Sequence, residues 1–254
     1  MGRVTSLASF MTKSYLKTPL AFISDLIIPL VIFIIVHLST EKGFESLIGI
    51  LVAMSWSTGS FALSRKLALY KMWRLLDMFI ASPIKPVELA VAAALAHLAI
   101  LVIPATIVTI IAMFISGLLK LGVNILVLVF TVVLIIVSII ISWLLGIFFG
   151  LYIYSKLADP LRISSAANVL NLLLILLPPV IYPVSILPQS IQIGTVNLPL
   201  QLMSTLVPTV SLKLIALHLL GLNTNIPLHI PVIVTIVYFL VFSTLALRQR
   251  ILGE

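Results

Sequence analysis

The chain has 254 residues, of which 62% are hydrophobic and only 9% charged, a balance that excludes an ordinary soluble domain and points to an integral membrane protein. Its net charge of +8 does not mark a nucleic-acid binder, because the basic residues sit in short segments between apolar runs and read as topology signals. The absence of cysteine excludes disulfides, thiolate metal sites and cysteine catalysis.

A span needs about 20 apolar residues to cross a hydrocarbon layer roughly 30 Å thick, so the length allows six or seven and no sizeable soluble domain. Residues 1–18 place Val4, Leu7, Ala8, Met11 and Tyr15 at helical spacing, with Thr5, Ser9, Thr12 and Lys13 off the stripe. That pattern predicts an interfacial helix. The first span is expected from Leu20 to Leu38, with Asp25 near its start as an interfacial or helix-start group and Pro29 inside. No cleaved leader is expected, since this first apolar run is long enough to cross outright.

The polar turn STEKGFES leads to a second span, Leu47 to Leu63, whose middle reads Ser55-Trp56-Ser57-Thr58-Gly59-Ser60. Small residues let helices approach closely, and hydroxyls can also line a polar path, so Ser55 and Thr58 are candidate pathway positions. Residues 65–81 follow as an amphipathic helix. Leu69, Met72, Trp73, Leu76, Phe79 and Ile80 gather on one face, while Lys66, Lys71, Arg74 and Asp77 gather opposite. The sequence Ser82-Pro83-Ile84-Lys85-Pro86 ends it, because a residue before proline is pushed out of the helical region.

The third span, Val87 to Gly117, contains His97 and Pro104, the latter expected to kink it. The fourth, Asn124 to Tyr154, carries Ser138, Ser142, Gly146 and Gly150, each four apart. That smooth strip predicts close helix packing, within the chain or across a dimer. SKLADPLRISS, 155–165, reads as a short basic loop. The fifth span, Ala166 to Ile181, has Asn168 and Asn171 on one face as further candidate pathway positions, with interhelical hydrogen bonding as their other reading. Pro178, Pro179, Pro183 and Pro188 do not allow one straight helix beyond it. The last clear span is Ile230 to Leu247.

Between them, 182–229 is expected as an extracellular segment with re-entrant helices. Leu198 to Leu220 is apolar enough to suggest a seventh span, but Pro199, Pro208, Lys213 and His218 interrupt it. Charge decides for six. Of the 15 basic residues, six spans leave only Lys42, Lys120 and Lys213 on one side, with both termini and the remaining twelve on the other. Such a positive-inside bias makes both ends cytoplasmic. The expected fold is therefore all-α, with six transmembrane helices, an N-terminal interfacial helix and a cytoplasmic helix at 65–81, in a single transmembrane domain over 1–254.

No glycine is followed by lysine, so the chain has no P-loop and does not hydrolyse ATP alone. His37, His97, His218 and His229 lie far apart without an HExxH pairing, and no metal site is expected. No acid sits plainly in mid-membrane, where ion-coupled carriers usually need one.

The stretch KMWRLLDMFIASPIKPVELA, Lys71 to Ala90, and the proline-broken LLPPVIYPVSILPQSI, Leu176 to Ile191, in this order and topology, resemble the permease subunit of type-2 ABC exporters. The resemblance covers nearly the whole chain. It departs at Trp73-Arg74, Ala92-Ala93-Ala94 and Pro178-Pro179, where the family often has Gly-Thr, Gly-Lys and Ser-Gly. It implies a permease paired with a second copy or a related permease and bound to two separate ATPase subunits, with ATP and magnesium on those subunits and no cofactor in this chain. Lys66, Lys71, Trp73, Arg74, Asp77 and Phe79 would then belong to the coupling helix. The same charges would also suit anionic lipid headgroups. An ATP-independent carrier or channel is the alternative from another class, and an embedded enzyme is disfavoured by the missing catalytic clusters.

Overall fold

The computed structural model describes residues 2–17, 19–40, 42–62, 86–115, 125–157, 159–171, 173, 179–193, 196–222 and 224–248. These are mostly helical. The main helices are α1 (Gly2–Leu16), α2 (Pro19–Thr40), α3 (Gly43–Ser57), α4 (Pro86–Ile115), α5 (Ile125–Leu157) and α6 (Pro160–Asn171). After a 3-10 turn, Val184–Ile186, come strands β1 (Ile191–Ile193) and β2 (Val196–Leu198), then α7 (Leu200–Ser204), α8 (Pro208–Leu219) and α9 (His229–Arg248). Two helical stretches, Val91–Ile115 in α4 and Val129–Tyr154 in α5, are long and apolar enough to cross a membrane.

The bundle is assembled around α3. Its sequence is apolar or small on nearly every side, from Phe44 to Trp56, and a helix without a polar face has no stable place at a surface in water. Phe33 of α2, Val108 of α4, Ile139 of α5 and Leu212 of α8 close over it in one continuous core. A second cluster joins Ala93 and Ala94 of α4 to Trp143 and Tyr154 of α5 and Ile163 of α6. Met11 of α1 packs on that cluster. The apolar stripe of α1 thus lies along the alanine-rich start of α4, where side chains of one carbon let a second helix approach closely.

Apolar residues are not confined to the core: they also cover much of the outside. Ser46, Ser55, Ser60, Thr109 and Ser142 are buried, whereas Ile27, Ile35 and Leu38 of α2, Phe130 and Val133 of α5, and Ile236 and Leu240 of α9 are exposed. Leu38 is 80% exposed. Isolated exposed apolar residues are ordinary, but rows of them along several helices form patches that a monomer in water rarely carries.

Two sequence expectations need correction. The segment 155–165 is not a loop: α5 continues to Leu157 and α6 begins at Pro160. Asp159 caps the new helix, accepting the Leu161 amide hydrogen bond at 2.9 Å, and Pro160 occupies a first-turn position where its missing N–H costs nothing. Its carboxylate also meets Arg162 at 3.6 Å, which absorbs part of the basic charge. The expectation of helices over 182–229 is incomplete as well. That segment opens with the 3-10 turn and an antiparallel hairpin pairing Ile191 with Leu198, before the short α7 and the 12-residue α8. Pro104 lies inside α4, which runs unbroken past it.

Candidate functional site

Helices α3 and α5 meet along a seam of small residues. A Cβ at Gly146 would overlap the backbone at Trp56 and Ser60, and one at Gly150 would overlap Ser60. The fit is reciprocal, since a Cβ at Gly59 would strike the Trp143 carbonyl. Ser142 adds a bond across the seam, donating to the Val52 carbonyl at 2.8 Å. Around Gly59 the helix widens into a π-helical turn, Thr58–Ala62, so the closest approach coincides with an irregular stretch of backbone. Trp56, fully buried, lies against Phe149 and Phe242 with ring centroids 5.5 and 6.1 Å away, bringing α9 onto the same seam.

The strip predicted at Ser138, Ser142, Gly146 and Gly150 therefore faces α3 at its last three positions. Ser138, also buried, donates within its own helix to Leu134 at 2.9 Å. The pathway candidates behave likewise. Ser55 is buried and donates to the Leu51 carbonyl at 2.6 Å, and half-buried Thr58 donates to Met54 at 2.7 Å. Hydroxyls bonded to their own preceding turn are satisfied without water. Asn168 and Asn171 fall in the last turns of α6, on its backbone register three apart. Lys66, Lys71, Trp73, Arg74, Asp77 and Phe79 lie outside the described residues.

A second locus, missed by the sequence reading, sits at the end of the bundle that carries the α2–α3 turn. Lys213 of α8 is fully buried and lies 3.3 Å from the Glu45 carboxylate in the first turn of α3. Its ammonium also donates to the carbonyls of Pro179 at 3.1 Å and Tyr182 at 2.7 Å. The same Glu45 oxygen accepts the Val184 amide at 2.9 Å. Gly49, one turn below Glu45, makes room for this arrangement, because a Cβ there would overlap the Val180 carbonyl. Burial lowers the Lys213 ammonium from its ordinary 10.5 to about 8, and the neighbouring carboxylate opposes that fall. The available signal was Lys213 itself: a lysine within the apolar PTVSLKLIALHLL must find a partner or reach water.

Beside this pair lies a cavity of about 70 Å³ lined by Lys42, Glu45, Ser185, Gln201, Thr224 and Asn225. Lys42 reaches across its rim to Ser185 at 2.8 Å, and Gln201 holds the Leu187 carbonyl at 2.7 Å. The segment between α6 and α9 is thus pinned by polar contacts at one end while α8 descends into the apolar core. Tyr238, midway along the 20-residue α9, donates its hydroxyl to the Leu206 carbonyl at 2.8 Å and so marks where the α7–α8 bend lies against α9. The bend between α7 and α8 therefore stops near the middle of α9.

No protein-family model and no curated protein matches the chain. Among the described residues, no group of three or more histidines and carboxylates gathers as a metal centre. The chemistry at hand among the described residues is packing, an ion pair on a buried lysine, hydroxyls bonded mostly to backbone carbonyls, and a Thr224 hydroxyl 2.9 Å from the His218 ring.

Proposed function

We propose that the chain is the transmembrane permease subunit of an ATP-driven exporter of the type-2 ABC class. It works as a dimer and is coupled through residues 65–81 to separate ATPase subunits that carry ATP and magnesium. The observation that carries the membrane assignment is the rows of exposed isoleucine, leucine and phenylalanine along α2, α5 and α9. Six spans are favoured over seven by the depth of the α7–α8 bend beside Tyr238 and by the twelve-to-three division of basic residues. On this topology both termini are cytoplasmic and the Glu45–Lys213 pair faces outward.

Coupling to an ATPase is supported by the sequence between α3 and α4. A two-faced basic helix is suited to this work, with Trp73 and Phe79 anchoring it to the bundle and Lys66, Lys71, Arg74 and Asp77 toward the partner. A bundle this apolar suits amphiphilic cargo better than highly charged solutes. The test is co-purification of the chain expressed with its neighbouring genes, followed by reconstitution with and without ATP. An ATPase isolating with it, and ATP-dependent transport, are expected. Isolation alone, with gradient-driven transport by the pure chain, would overturn the proposal in favour of a carrier or channel.

A further inference from the structure

Three elements that are far apart in sequence meet at one ammonium. Lys213 has three N–H donors, and three acceptors on two other elements receive them: Glu45 at the start of α3, and the Pro179 and Tyr182 carbonyls of the turn after α6. Glu45 returns the contact by holding the Val184 amide of that same turn. The turn is pressed flat on α3, where Gly49 admits the Val180 carbonyl and Val180 itself is fully buried. We infer that Glu45 and Lys213 form a clasp that makes the start of α3, the Pro179–Val184 turn and α8 one mechanical body.

The physical reason is the cost of partial opening. Moving α8 away from α3 would strip a fully buried ammonium of its carboxylate and carbonyl acceptors and leave the half-buried Glu45 without its counter-charge, whereas moving all three elements together breaks none of these contacts. A swinging lid made of α8 alone is therefore disfavoured. Any opening at this end of the bundle separates the body from α2, α5 or α9, or from another copy. The clasp is argued from contacts within one chain and stands apart from the ATPase assignment, so either can fail without the other.

Amide hydrogen exchange on the full chain in lipid nanodiscs tests it, with the wild type, Lys213→Met, Glu45→Gln and the double variant. In the wild type, the amides of Val184, Ile186 and Leu187 should open together with those of Ser211 to Leu217. Exchange at 184–187 that is ~100-fold faster than in α8 overturns the inference. Lys213→Met strands the Glu45 charge and should speed exchange at 184–187 by about 100-fold or more, the equivalent of breaking a buried pair. The double variant, which removes both charges, should be slowed back toward the wild type. Unchanged exchange in Lys213→Met, or equal acceleration in the single and double variants, also overturns it. If Lys213→Met does not fold, the wild type and the double variant still decide.

Discussion

Ser142 reaches across from α5 to donate its hydroxyl to the Val52 carbonyl of α3, at 2.8 Å, while Ser138 one turn earlier bonds its own helix. Both serines are buried, yet only one carries a bond between helices. Ser142→Ala should therefore destabilise the bundle by about 0.6 kcal/mol, a typical value for an interhelical hydrogen bond in a membrane protein. Ser138→Ala should have a smaller effect. Unfolding in mixed micelles with increasing denaturing detergent would measure both.

The glycines of the seam should be less forgiving. At Gly150 an added methyl group meets the backbone of Ser60, which cannot rotate away as a flexible side chain could. Gly150→Ala should cost about 1–3 kcal/mol, the usual penalty for overpacking, despite the better helix propensity of alanine. Gly2→Ala, where nothing lies within reach of the new methyl, is the matched control and should be neutral or slightly stabilising. Equal stability of the two variants would show that the seam yields.

Acidity at Lys213 gives a pH prediction with a definite sign. Burial lowers this ammonium from 10.5 to about 8, so between those values the unfolded chain binds a proton that the folded chain has released. The contribution of this group to stability therefore rises with pH from about 8 to 10.5 and is flat below. Lys213→Met lacks the titration. The melting temperature of the wild type relative to this variant should move in the wild type's favour across that window. A constant difference would mean that Lys213 titrates at its ordinary value.

Long helices were legible because their signal is local. The apolar runs predicted from Leu20, Val87, Asn124 and Ile230 correspond to α2, α4, α5 and α9, each displaced by only a few residues. The strip from Ser142 to Gly150 was visible too, as small residues at a spacing of four, though its partner was not, because choosing between neighbours requires the tertiary arrangement. The α6 start is hidden when Asp159-Pro160 is read by charge as part of a basic loop, and visible when it is read as a cap followed by a first-turn proline. Alternating apolar residues on either side of Gly194-Thr195 could have announced the hairpin. The Glu45–Lys213 pair joins positions remote in sequence, and neither charge alone names its partner.

Coupling can be probed on both faces of the helix expected at 65–81, the anchoring one and the charged one. Trp73→Ala removes an anchor of large area and Arg74→Glu reverses a charge on the opposite face, so together they attack both kinds of contact. The double variant should insert normally but lose ATPase from the purified complex, with transport falling at least ~10-fold, as for the loss of about 1.4 kcal/mol or more of binding. Retained complex and unchanged transport would assign the helix to the lipid surface instead. A loss that disappears at high salt would point to the charged face as the main contact.

The number of spans is open to a direct chemical test, because the chain contains no cysteine and any introduced thiol is the sole target. Asn225, between α8 and α9, and Arg162, in the first turn of α6, are both exposed. With six spans and the α7–α8 bend stopping beside Tyr238, Asn225→Cys lies outside and Arg162→Cys inside. A membrane-impermeant maleimide added to intact cells should label Asn225→Cys and spare Arg162→Cys until the membrane is permeabilised. If residues 198–220 crossed instead, position 225 would be cytoplasmic, and protection of Asn225→Cys in intact cells would establish the seventh span. Tyr238→Phe combined with Asn225→Cys adds a control for the bend. Removing the hydroxyl leaves the Leu206 carbonyl with one bond fewer at a cost of about 1 kcal/mol, too little to move a segment across a bilayer, so its labelling should match that of Asn225→Cys alone.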